Sequence, residues 1–156
     1  MSALATGGRV VPEAWIDYNG HMNDAYYWVA FTEATEAFLD HVGLGAAYQA
    51  ESGCGMYTVE GHVCFAGSVR GGAALRYESQ LLGWDDKRLH LFHRMVEPGG
   101  GQVATNELML LHVDLATERV TALPSARSRA VPRVASAQAA LPAPENAGRR
   151  IRMPGR

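Results

Sequence analysis

Eight consecutive residues concentrate groups that can do chemistry: Asp17-Tyr18-Asn19-Gly20-His21-Met22-Asn23-Asp24. Two carboxylates, two amides, an imidazole and a glycine stand directly in front of a stretch with helical apolar spacing. A carboxylate there can act as general base or as nucleophile. The first N–H groups of a helix are orphan donors, and the helix dipole favours negative charge beside them. Such donors can hold the oxyanion that forms when a carbonyl is attacked. Helix capping alone explains Asn23 or Asp24. It gives no reason for Asp17, Asn19 and His21. The competing readings are a turn aspartate bonded to the backbone two residues on, and a packed histidine bonded to a backbone carbonyl.

The elements that must position these groups follow from periodicity. Residues 1–8 read as a frayed tail and 9–15 as a short strand. Apolar residues Tyr27, Val29-Ala30-Phe31, Ala34, Ala37-Phe38 and Val42 recur at helical spacing, which predicts a helix over 25–42. Gly43 and Gly45 mark its end. Residues 45–55 read as a loop. Four extended segments are predicted over 56–66, 73–84, 88–97 and 101–114, with alternation clearest in Leu89-His90-Leu91-Phe92-His93. Trp84-Asp85-Asp86-Lys87 and Pro98-Gly99-Gly100-Gly101 are the turns between them. A further hairpin leads into a short strand over 120–122. One long helix followed by a run of antiparallel strands gives an α+β class.

From residue 125 the composition changes. An Ala/Ser/Arg-rich stretch over 125–141 predicts a terminal helix, Pro142-Ala143-Pro144 breaks it, and residues 145–154 read as an extended basic tail, either solvated or laid across a second subunit. The chain thus divides into a main domain over 1–124 and a C-terminal helix and tail over 125–156.

The totals exclude several classes. At 156 residues, 47% apolar and 19% charged, the chain is ordinary globular material. A net charge of −2 provides no basic field for nucleic acid. Two cysteines, Cys54 and Cys64, lack the spacing of a disulfide framework or a zinc site, and read as small buried apolar residues. No metal or cofactor is expected. No stretch has the leader pattern or the apolar length of a membrane span, so a cytoplasmic setting is the expectation.

Asp17-x-x-Gly20-His21-Met22-Asn23, with a tyrosine at Tyr26 or Tyr27, resembles the opening motif of hotdog-fold acyl-CoA thioesterases of the 4-hydroxybenzoyl-CoA thioesterase-like superfamily. Asp24 stands where that family usually has a second asparagine. The resemblance spans residues 10–124. It implies an antiparallel sheet wrapped around one long central helix, with a site shared between subunits of a homodimer or a dimer of dimers. It places Asp17 at the catalytic carboxylate. It also implies oxyanion donors from Gly20 onward, where glycine admits the thioester close to the backbone. Asn19-Gly20-His21 matches the Asn-x-His pattern of plant-type acyl-carrier thioesterases, so Asn19 and His21 join the catalytic candidates. Glu33 is a second candidate base, because one hotdog branch uses a glutamate on the helix. Glu60 and His62 on a strand rank lower. Arg70, or Arg127 and Arg129, would meet CoA phosphates.

Trp15, Tyr18, Tyr26, Tyr27, Trp28 and Tyr57 lie around the motif. They suit a flat pocket for an aromatic acyl group or a cage for a quaternary ammonium, and plain core packing is the competing reading, above all for Tyr27 and Trp28. The string Asp17 to Met22, with Gly148-Arg149-Arg150-Ile151 at the end, resembles the thioesterases of carnitine and betaine metabolism, which cleave betainyl-CoA to glycine betaine and CoA. A hotdog dehydratase or hydratase, and a non-catalytic acyl-CoA-binding module, are the alternatives.

Overall fold

The computed structural model describes residues 2–125 and 129–153. Arg127 lies outside the described residues. The chain runs β1 (Leu4–Val10), a 3₁₀ turn (Glu13–Trp15), α1 (Asp24–His41), α2 (Ala46–Ser52), β2 (Cys54–Phe65), β3 (Ala74–Trp84), β4 (Arg88–Val96), β5 (Gln102–Asp114), β6 (Arg119–Val120) and α3 (Ala130–Gln138). The strands form one antiparallel sheet in the order β1-β3-β4-β5-β2, with β6 on β5. The sheet curls around α1, the arrangement expected above.

The inner stripe of α1 explains the curl. Tyr27, Ala30, Phe31 and Ala34 enter one apolar cluster with Leu75, Tyr77, Met95 and Val103. One turn on, Phe38, Leu39 and Val42 enter a second cluster with Leu81, Leu89, Leu91, Leu108 and Leu110. Ala30 and Ala34, both fully buried, let the sheet come close to the helix axis. Between the clusters the core turns polar. His93 is fully buried and takes a 2.6 Å hydrogen bond at Nδ1 from Ser79. Burial pushes its imidazole down to about 3.

The structure corrects several sequence expectations. Residues 4–10 are not a frayed tail but an edge strand on β3, with a bulge between Ala5 and Gly8. Gly7 has φ +109°, and a Cβ on Gly8 would collide with the Leu75 carbonyl. The strand expected over 9–15 ends at Val10 and gives way to the 3₁₀ turn. The loop expected over 45–55 contains α2, closed by Gly53 in the left-handed region at φ +69°. The last short strand is Arg119–Val120, not 120–122. Both cysteines are free thiols and partly exposed, not buried.

The C-terminal stretch is part of the packed structure. Val131 and Val134 of α3 join the second apolar cluster. The Gln138 side chain accepts from Leu81 N–H at 2.8 Å and donates to the Ser79 carbonyl at 3.0 Å. Among the described residues no helix is long and apolar enough to cross a membrane.

Candidate functional site

Asp17 to Gly20 form one tight turn in front of α1. Gly20 N–H donates to the Asp17 carbonyl at 2.9 Å, and Asp17 N–H to the His21 carbonyl at 2.9 Å. Gly20 has φ +77° with nothing within 4 Å of a Cβ there, so backbone conformation rather than crowding selects glycine. The turn is tied down on both sides. Met22 N–H donates to the Val69 carbonyl at 2.7 Å and Asn23 N–H to the Trp15 carbonyl at 2.9 Å. Asn23 is the N-cap of α1, its side chain accepting from Ala25 N–H at 3.0 Å.

The Asp17 carboxylate accepts from Asn19 N–H through Oδ1 at 2.8 Å. Its other oxygen is left for a second partner. The Asn19 side chain and the His21 imidazole make no hydrogen bond within the described residues, and His21 is half-buried. Gly20 was expected to be the first oxyanion donor, but its N–H is held by the Asp17 carbonyl. The N–H groups of His21 and Asp24 have no acceptor among the described residues. A partly exposed carboxylate, a half-buried imidazole and two unengaged N–H donors at the positive end of α1 can together activate water and hold an oxyanion.

Glu33 is differently placed. It pairs with Arg9 at 3.2 Å and accepts from the Tyr77 hydroxyl at 3.4 Å. Burial and the nearby Glu33 charge push the Tyr77 phenol up. Arg9 also sits 4.2 Å over the Trp15 ring, and Trp15 stacks on Tyr26 with centroids 4.9 Å apart. Trp15 is buried, so this cluster braces the 3₁₀ turn against β1 and α1. Sequence spacing did not reveal Arg9 as its hub.

The remaining aromatic candidates are open. Tyr18 is 97% exposed at the tip of the turn. Trp28 lies across Gly61 of β2 so closely that a Cβ there would be 2.8 Å from the ring. Trp28 of α1 and Tyr57 of β2 are both partly exposed. Arg70 is exposed in the loop that receives Met22 N–H, one residue from Val69. Glu60 is exposed on β2, and His62 bonds the Arg149 carbonyl instead of facing the turn. Arg129 stands at the start of α3.

The family described as "Thioesterase-like superfamily" matches residues 11–139. The betainyl-CoA thioesterase of Pseudomonas aeruginosa is 43% identical over 146 residues, 93% of this chain and 91% of that protein. The L-carnitine dehydrogenase/betainyl-CoA thioesterase of Agrobacterium fabrum is 46% identical over 138 residues, 88% of this chain. This chain spans 28% of the length of that larger protein. A Staphylococcus aureus protein solved in complex with CoA superposes with a TM-score of 0.90 at 27% identity, covering 99% of this chain and 98% of that one. A curled sheet around α1, a motif turn at the helix start and matches of this extent have one common explanation: the chain belongs to the thioesterase-like superfamily and is a hotdog-fold thioester hydrolase.

Proposed function

We propose that the chain hydrolyses betainyl-CoA to glycine betaine and CoA, with Asp17 as the reacting carboxylate. The observation that carries this reading is the Asp17–Gly20 turn, which fixes one carboxylate oxygen and leaves the other free beside the start of α1. The free oxygen takes a proton from the attacking water. The new C–O bond pushes charge onto the thioester oxygen, which the N–H groups of His21 and Asp24 receive. Collapse breaks the C–S bond, and the CoA thiolate regains the proton held by Asp17. Asn19 and His21 orient the water and the carbonyl. Glu33 positions Arg9 and Tyr77. Arg70 meets the pyrophosphate from the loop beside the motif.

Homology supports the substrate. The 43% identical relative, matched over nearly its whole length, is named a betainyl-CoA thioesterase. The exposed aromatic rings suit a trimethylammonium head, whose charge the π-face of tryptophan attracts. Neither homology nor the motif favours a dehydratase or a non-catalytic module.

A second copy of the chain completes the site in this reading. The sheet path ends at β2, which among the described residues has only β5 as a neighbour. Tyr57 and Val59 on that strand are 49% and 54% exposed, and Trp28 and Val29 of α1 are 41% and 44% exposed. An apolar, unpaired edge of this kind is a pairing surface. Two free thiols are compatible with a cytoplasmic setting.

The test is release of free thiol from betainyl, acetyl, 4-hydroxybenzoyl and medium-chain acyl-CoAs. Betainyl-CoA should be cleaved with the highest kcat/KM. A chain that cleaves the others and leaves betainyl-CoA untouched has a different substrate. One that cleaves none is not this enzyme.

A further inference from the structure

Among the described residues two buried side-chain polar atoms have no hydrogen-bond partner: Arg9 Nε and Asn106 Oδ1. The first belongs to a guanidinium already engaged by Glu33 and the Trp15 ring. The second has no such account. Asn106 is 2% exposed, and a buried acceptor left unpartnered costs stability.

Its place in the sheet sharpens the question. Side chains alternate along β5, and Ala104, Leu108 and Leu110 all enter the apolar clusters around α1. Asn106 shares their face, in a strand interior where asparagine is disfavoured. Its neighbours in register are His93 on β4 and Val63 on β2. Val63 has no side-chain donor. Both ring nitrogens of His93 are taken, by Ser79 and Thr35.

Gly61 of β2 shows what the oxygen faces. The point that a Cβ would occupy there is 3.8 Å from Asn106 Oδ1 and 2.8 Å from the Trp28 ring. The indole and the amide oxygen converge where β2 carries no side chain. Trp28 is also partly exposed, so one ring reaches from the buried amide to the surface.

A π-system and an unpaired amide oxygen both attract positive charge. A quaternary ammonium has no N–H to donate, so rings and dipoles hold it without a directed hydrogen bond. A neutral oxygen does this without burying a charge of its own, as a carboxylate would. Trp28 lies five residues past the N-cap Asn23, about 7.5 Å along the helix axis. In a betainyl thioester one methylene separates the carbonyl carbon from the nitrogen. A carbonyl held at the start of α1 therefore puts the cation along the first turns of that helix, where Trp28 stands.

We infer that Asn106 is a specificity residue, its amide oxygen receiving, together with the Trp28 ring, the trimethylammonium head of the acyl group. The inference rests on the betainyl-CoA reading for its ligand.

The test compares betainyl-CoA with 3,3-dimethylbutyryl-CoA, the same shape without the charge, on the full chain and on Asn106→Leu and Asn106→Asp. The ratio of the two kcat/KM values should favour betainyl in the wild type and fall by roughly tenfold in Asn106→Leu. It should rise in Asn106→Asp. Melting should move the other way. Asn106→Leu removes an unpartnered acceptor and should melt about 2 °C or more above the wild type. Asn106→Asp buries a charge and should melt below it. A residue with only a structural role does not give this crossed pattern. No preference in the wild type, an unchanged ratio in Asn106→Leu, equal loss of both esters, or a lower melt for that variant would overturn the inference and leave the hydrolase reading standing. If neither ester is cleaved, the hydrolase reading falls, and calorimetric titration with the two esters decides the inference. Tighter binding of betainyl-CoA that Asn106→Leu abolishes upholds it, and equal binding overturns it.

Discussion

Asp17 Oδ1 and the N–H of Asn19 stand 2.8 Å apart, so the proposed reacting carboxylate also shapes the turn that presents it. The two roles separate by substitution. Asparagine keeps an oxygen acceptor at the same place and loses the charge. Asp17→Asn should keep the turn, with a stability change within about 0.5 kcal/mol, as for substitutions that preserve local bonding. Its thioester hydrolysis should fall by on the order of 10² or more, as loss of a base or nucleophile costs. Asp17→Ala should lose activity to the same extent and about 1 kcal/mol of stability besides. Thiol release and thermal melts on the three proteins decide it. An active Asp17→Asn leaves Asp17 as a turn residue only.

Glu33 yields the reverse pattern. Its ion pair with Arg9 has side chains 37% and 32% exposed, and such pairs contribute about 0–1 kcal/mol. Glu33→Gln should therefore lower stability by no more than that and change kcat by less than about threefold, because the amide still accepts from Tyr77. A loss on the order of 10² in kcat with an unchanged melt would make Glu33 the base instead.

The buried histidine sets an acid limit on stability. The Thr35 hydroxyl donates to the Phe31 carbonyl at 3.0 Å, so at 3.0 Å from His93 it accepts from Nε2–H. Nδ1 then accepts from Ser79, and Ser79 accepts from Thr6 at 2.7 Å. Every group is satisfied with the imidazole neutral. In the folded chain its value is pushed down to about 3 by burial, against 6.5 ordinarily. The unfolded chain takes up this proton as pH falls below 6.5, and the folded chain does not until near 3. The stabilisation is complete above the upper value and is lost progressively toward the lower one. Urea midpoints between pH 7.5 and 5 should fall more steeply for the wild type than for His93→Gln. Equal slopes would show that His93 titrates in the folded state as it does in the unfolded one.

Val59 tests the second copy. It is the bulged residue of β2, without a partner on β5, and 54% exposed. A lysine there places charge on the free edge, a device that blocks strand pairing. The wild type should sediment at twice the chain mass. Val59→Lys should sediment at the chain mass and lose kcat/KM in parallel. A fully active wild-type monomer would show that one chain carries the whole site.

These tests rest unevenly on what the sequence alone conveys. The motif turn is local: Asp17 bonds Asn19 and Gly20, and Asn23 caps Ala25, all within a few residues, and turn and capping rules find them. The α1 stripe is local too, and alternation groups His93 with Leu89, Leu91 and Met95. What alternation does not convey is that Thr35 and Ser79, 58 and 14 residues away, supply the hydrogen-bond partners of a buried imidazole there. The β1 strand is hidden because Gly7 and Gly8 look like a flexible tail, while their pairing lies on β3. The tail's anchors, His62 with Arg149 and Glu107 with Gly148, span 87 and 41 residues and leave no periodic trace.

Trp28 separates charge from shape in the proposed recognition of the acyl group. Betainyl carries a trimethylammonium group; 3,3-dimethylbutyryl is the same shape without the charge. Trp28 is 41% exposed, with the edge of its ring against Gly61 of β2. If its π-face receives the cation, the wild type should prefer betainyl-CoA over the neutral isostere. A cation–π contact is worth about 0.5–2 kcal/mol, which corresponds to roughly 2- to 30-fold in kcat/KM. Trp28→Leu keeps an apolar side chain and removes the quadrupole, so it should abolish the preference while cleavage of the neutral ester changes little. Loss of both substrates in equal measure would mean that Trp28 supports β2 packing alone. A preference that survives in Trp28→Leu would move the cation's partner elsewhere, with Tyr57 of β2 the next ring to replace.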